Sequence, residues 1–203
     1  MSNPKTIKNM PKANCSPLEG SLGWCEGKPV LPGIRRRLYY TAKSNIAQWP
    51  ELQVDELGRP TSAVLQGSFV MAADKVFHYI DILVNDSTLT SEAQGEKPSQ
   101  TQLNKLTAVH PAVDEAATMA SAYLNNNDVV VIVQDMDGKY RVIGNNKWQG
   151  NATVAQDLGQ GATGKATTTI NVEHTDIIAA PFYEGEIVTE DGTINEQGSG
   201  SGE

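Results

Sequence analysis

Several groups of side chains in this 203-residue chain have types and spacings that could do chemistry. Gly159-Gln-Gly-Ala-Thr-Gly164-Lys165 carries the two glycines and the lysine of a phosphate-binding loop. Such a loop needs a Ser or Thr hydroxyl for magnesium after the lysine, where Ala166 stands, and it must open a helix, whereas residues 167–172 have the composition of a strand. Asp135-x-Asp137-Gly138 starts like a calcium loop, but Lys139 falls where an oxygen ligand is due and no bidentate Glu follows. A hairpin turn accounts for it. His78, His110 and His174 lie on separate expected elements, and no Ser or Cys sits in a nucleophile elbow. Glu184 with Glu186, and Glu190 with Asp191, read as a solvated edge rather than an acid and base pair. Cys15 and Cys25, the only cysteines, match neither a zinc site nor a disulfide framework and read as reduced thiols. No catalytic, cofactor-binding or metal-binding constellation is expected, and an enzyme is not the reading these residues favour.

The charges point to contacts with other macromolecules. Residues 1–43 hold eight basic and two acidic side chains, a net of +6; the remaining 160 hold eight basic and 22 acidic, a net of −14. Arg35, Arg36 and Arg37 could contact phosphate, but adjacent strand residues point to alternate faces, so the three do not make one patch. The simpler partner for a basic arm is the acidic flank of an identical neighbour. Trp24, between Gly23 and Cys25 in the arm, reads either as an anchor into a neighbour's pocket or as packed on its own domain. With Trp148, these four residues form the expected subunit interface.

Composition bounds the elements that hold these groups. Hydrophobic residues at 39% and charged residues at 20% suit one globular domain, and no apolar run approaches a membrane-spanning length. The N-terminus has basic residues but no apolar segment behind them, so no secretory signal is expected, and synthesis in the cytoplasm follows. Residues 1–33 hold five of the ten prolines and read as an extended arm; residues 189–203, ending in Gly and Ser, read as a flexible tail.

Between them, residues 34–188 form the body. Apolar residues at Val113, Ala116, Ala117, Ala120, Tyr123 and Leu124 predict a helix over 112–124, with Pro111 in its first turn and Asn125 to Asn127 as its stop. The five β-branched residues 129–133 predict a strand covered on both faces, with the preceding helix as the covering layer. Asp137-Gly138 then turns the chain back into 139–143. Residues 63–71 and 76–84 read as a hairpin pair, and 86–95 with 101–109 as polar strands with little to bury. Residues 145–164 read as a long polar loop, 166–173 as a strand, and 177–183, broken by Pro181, as an edge strand. The fold class is mainly β with one α-helix: an antiparallel β-sandwich or barrel flanked by that helix, with an extended N-terminal arm.

This order of elements resembles the tail tube proteins of tailed bacteriophages and the related tube subunits of type VI secretion and other contractile injection systems. The likeness is carried by Leu38-Tyr39-Tyr40, Gln94-Gly95-Glu96, residues 113–124, 129–134 with 138–144, and Gly164-Lys165 leading into 167–172. The resemblance implies a structural virion protein made in the host cytoplasm. Subunits would form rings, commonly six-fold, whose inner strands join into a barrel; the rings would stack into a viral tail tube, contact other tail proteins, and pass double-stranded DNA without binding it. The bore would be lined or bordered by residues 86–109. Other readings are a tail terminator, connector ring or capsid decoration protein, and a monomeric β-sandwich binding module using the Trp148 loop.

Overall fold

The run 129–133 is buried on both faces. At roughly 1.5–3 kcal/mol for each buried aliphatic side chain, five such residues rival the net stability of a whole domain, so this strand sets the register around it. The computed structural model describes residues 22–23 and 26–195. Its strands are β1 (Ile34–Ala42), β2 (Ile46–Gln48), β3 (Glu51–Val54), β4 (Pro60–Gln66), β5 (Val70–Met71), β6 (His78–Asp81), β7 (Thr88–Gln94) and β8 (Thr101–His110). Helix α1 (Glu115–Asn126) follows, then β9 (Val129–Asp135), β10 (Tyr140–Ile143), β11 (Asn151–Asp157), β12 (Thr167–Asp176), β13 (Phe182–Tyr183), β14 (Ile187–Thr189) and β15 (Gly192–Ile194).

Two main sheets form an α+β sandwich. One has seven strands in the order β3-β4-β13-β10-β9-β1-β6, and the other four in the order β11-β12-β8-β7. Leu38, Val129, Val131, Val133 and Ile143 of the first pack against Leu106, Ala108, Ile170 and Val172 of the second. Val130, Ile132 and Val142 face the other way, onto Tyr39, Phe69, Phe77, Tyr183 and Ile187. The main cover over β9 is therefore the second sheet, not the preceding helix, which contributes Leu124 at one end of that core. The expectation made α1 a layer; with small residues on much of its inward side, it serves as a flank beside β11.

The helix begins later than the sequence pattern predicts. Asp114 is its N-cap, accepting from Ala117 N, so Pro111 and Val113 lie before it. At the other end Asn126 Nδ2 and Asn127 Nδ2 donate to the carbonyls of Ala122 and Tyr123, satisfying last-turn groups in competition with the backbone. Asn127 is extended, not left-handed. The β9–β10 hairpin forms as expected, with Gly138 at φ 90° supplying the positive angle after a turn closed from Gly138 N to Asp135 O.

Several strand assignments change. Residues 63–71 and 76–84 do not pair with each other: β4 joins β3 and β13, while β6 joins β1. The polar strands β7 and β8 form a hairpin, but β8 buries Asn104, Leu106 and Ala108 on alternate positions. The expected loop 145–164 contains β11, paired along its length to β12. Its Asn, Ala, Thr and Gln conceal a strand because only Ala152 and Val154 need burial. β13 is internal, and Pro181, just before it, accepts from Val142 N rather than sitting on an edge. Of the tail expected over 189–203, residues 189–194 are structured, with Thr189 paired to Gly192 in the β14–β15 ribbon, and 196–203 lie outside the described residues.

Candidate assembly surface

The four-stranded sheet shows its outward residues to solvent. Register places Thr90, Glu92 and Gln94 of β7 beside Lys105 and Thr107 of β8, then Asn171, Glu173 and Thr175 of β12, then Asn151 and Thr153 of β11. These side chains bond across the sheet: Lys105 Nζ lies 3.3 Å from Glu92, Thr107 Oγ1 donates to Asn171 Oδ1 at 3.0 Å, and Gln94 Nε2 donates to Thr175 Oγ1 at 2.8 Å. Glu92, Glu173 and Asp157 against Lys105 leave this face acidic.

Its two edges differ. Among the described residues β7 pairs only with β8, and its seven residues contain no Pro, Lys or bulge of the kind that blunts an edge. At the opposite edge α1 stands beside β11, where Asn125 Oδ1 accepts from Val154 N. One edge is open and the other is a mixed helix-and-strand flank.

The expected interface residues are distributed as follows. Trp24 lies outside the described residues, as do Cys15 and Cys25. Arg35 and Arg36 are both exposed. The β1–β9 register shifts by two residues between Ile34 and Leu38, an irregularity that the simple alternation rule misses. Arg37 is committed within its own chain: it grips Asp81 at 2.8 and 3.3 Å, and its guanidinium sits 3.8 Å from the Tyr79 ring centre. That hydrogen bond is the main reason the Asp81 carboxyl is held below its usual range. Trp148 is exposed, on a turn fixed by Asn145, whose Oδ1 accepts from Lys147 N and Trp148 N. The Trp148 carbonyl takes a hydrogen bond from Lys43 Nζ, which also pairs with Asp128 at 2.8 Å. The three arginines and Trp148 are not brought together into one patch.

The groups considered for chemistry are apart as well. His78 pairs with Glu190 at 2.7 Å, His110 Nδ1 lies 2.7 Å from Asp81 O, and His174 is buried elsewhere. No group of three or more His, Cys, Asp or Glu able to hold a metal occurs among the described residues. Asp135 accepts from Lys139 N and stabilises the hairpin. The glycine loop closes on itself rather than opening a helix: a methyl added to Gly164 would lie 2.3 Å from Gln160 N. Lys165 reaches Asp86 at 3.3 Å.

Sequence reasoning missed a groove of about 290 Å³ between β6 and α1. Tyr40, Tyr79, Ile80, Ala117, Ala120 and Leu124 line it, with Asp81 and His110 at its polar side. The signal available was the helix's small-residue face, Ala116, Ala117 and Ala120, too small to fill the space to the sheet. Comparison of the chain with protein-family models, curated proteins and solved structures finds no match.

Proposed function

We propose that this chain is a structural tube subunit of a bacteriophage tail, not an enzyme. Copies associate head to tail into rings, the rings stack, and double-stranded DNA passes through the bore without being held. The observation that carries this reading is the four-stranded sheet: its outer face is polar and acidic, and it ends in an open β7 edge on one side and the β11–α1 flank on the other. Head-to-tail closure requires two different surfaces of this kind, and it removes the exposed edge when the ring closes.

The face toward DNA must not neutralise phosphates, because each Lys or Arg contact releases counterions and adds affinity that would arrest the cargo. Glu92 and Glu173 with a paired Lys105 meet that condition. The two packed sheets and the single flanking helix are in keeping with the resemblance stated above. The test is to express the full chain and a form lacking residues 1–33, then examine both by light scattering and negative-stain electron microscopy. Rings or tubes from the full chain support the reading; stable monomers at high concentration and low salt, with an initiating tail component also added, count against it.

A further inference from the structure

Residues 26–33 are all exposed, and in their own copy they leave Val30 70% and Leu31 52% accessible. Within them the sequence Lys28-Pro29-Val30-Leu31-Pro32 has two prolines three residues apart. Each proline fixes its own φ and pushes the preceding residue, Lys28 or Leu31, to extended angles. The segment is therefore stiff, loses little entropy on docking, and presents two exposed aliphatic side chains.

The β6–α1 groove offers the matching surface. It is apolar along Tyr40, Tyr79, Ile80 and Ala120, with Asp81 and His110 on one side, and at about 290 Å³ it suits the side chains of an extended segment rather than a helix. Proline-stiffened segments dock in aromatic-lined grooves of this kind, commonly with a flanking cation near a carboxylate. Tyr40 also lines a polar concavity where Asp74 and Glu190 stand with Lys75 and His78. At about 3 Å per residue, Lys28 lies roughly 6–9 Å from Val30 and Leu31.

We infer that residues 28–32 of one copy dock in the β6–α1 groove of another, with Val30 and Leu31 against Tyr40, Tyr79 and Ala120 and Lys28 toward Glu190. The inference rests on the self-assembly reading and names the contact that joins copies. Docking in cis is disfavoured because Gly33 O still accepts from Met136 N, so the chain continues along β9 beyond Ile34, at the end of β1 far from Tyr40.

The test uses the full chain with Cys15→Ser and Cys25→Ser. One preparation carries Leu31→Cys and a second Ala120→Cys; they are mixed and oxidised. The expected result is a disulfide-linked heterodimer, at least about tenfold above a Met119→Cys control, as a millimolar effective concentration provides over free collision. Met119 is on the same helix, 71% exposed and outside the groove. Adding Val30→Asp to the Leu31→Cys chain should remove the excess without lowering Tm, since Val30 is 70% exposed in its own copy. No excess over the control, or links found only within a chain carrying both cysteines, overturns the inference. Tubes that assemble without this link leave the tube reading standing and sink the contact; linked chains that never form rings sink the tube reading and leave the contact.

Discussion

Gly150 lies so close to the ring of His174 that a methyl on its Cα would fall 2.5 Å from Cδ2. Gly150 N also donates to Asp128 Oδ1 at 3.0 Å, and Asp128 pairs with Lys43, so the turn into β11 is bound on both sides. Neither the ring, 1% exposed, nor the bonded turn can yield cheaply. Gly150→Ala is expected to destabilise the fold by about 1–3 kcal/mol, as overpacking does, measured as a lower midpoint in urea at unchanged slope.

The same histidine makes stability depend on pH. His174 Nδ1 sits 2.9 Å from Thr175 O, so it carries the proton, and Nε2 is buried without a partner. Burial holds the His174 pKa below its ordinary value, and Lys43 acts in the same direction, against Asp128 and Asp176. The unfolded chain therefore takes up a proton near pH 6.5 that the folded chain refuses. Stability is full above about pH 6.5 and falls as pH drops through the window between that value and the folded one, with a slope of at most about 1.4 kcal/mol per pH unit. His174→Phe should flatten the Tm profile between pH 5 and 6.5 relative to the parent; an unchanged slope would remove His174 from the account.

Asn104 ties the hairpin β7–β8 to the chain that leads into β13. It is buried, Oδ1 accepts from Ala180 N at 2.8 Å and from Ser91 Oγ, and Nδ2 donates to Ile178 O at 3.4 Å. Asn104→Leu keeps the volume but strands the Ala180 N–H. A loss of about 1–3 kcal/mol is expected, together with faster proteolysis at 177–181; equal protection of that segment would assign the cost elsewhere.

The polar sheet face gives a charge test. Glu92→Lys with Glu173→Lys adds two cations beside Lys105 on exposed positions; the fold should persist with a slightly lower Tm, because the Lys105–Glu92 pair is lost and like charges stand on neighbouring strands. The double variant should retain duplex DNA with an affinity that falls steeply as salt rises, whereas the parent should show none at the same salt. Weak, salt-independent binding by both forms would contradict a bore-lining role for this face.

What could be read from the sequence follows the strength of local signals. Residues 129–133 and the turn at Gly138 were legible because a β-branched run favours extended backbone and glycine alone takes the turn's positive φ at no steric cost. The seven-stranded order was not, because β4 and β13 meet across more than a hundred residues and β6 is only four residues long. β11 was hidden by a polar composition that still alternates at Ala152 and Val154. Of the residues expected at the interface, Arg35 and Arg36 are exposed, while Arg37 is taken by Asp81, a partner 44 residues away that no local pattern announces. The β6–α1 groove was invisible for the same reason: it is a gap between elements, formed by what Ala117 and Ala120 do not fill.

The most direct test is cryo-electron microscopy of the full chain at high concentration. The account predicts rings or stacked tubes in which the four-stranded sheet faces the lumen, with Glu92 and Glu173 pointing into the bore and β7 of each copy against the β11–α1 flank of the next. Particles that remain single chains, or tubes with that sheet on the outer wall, would contradict it.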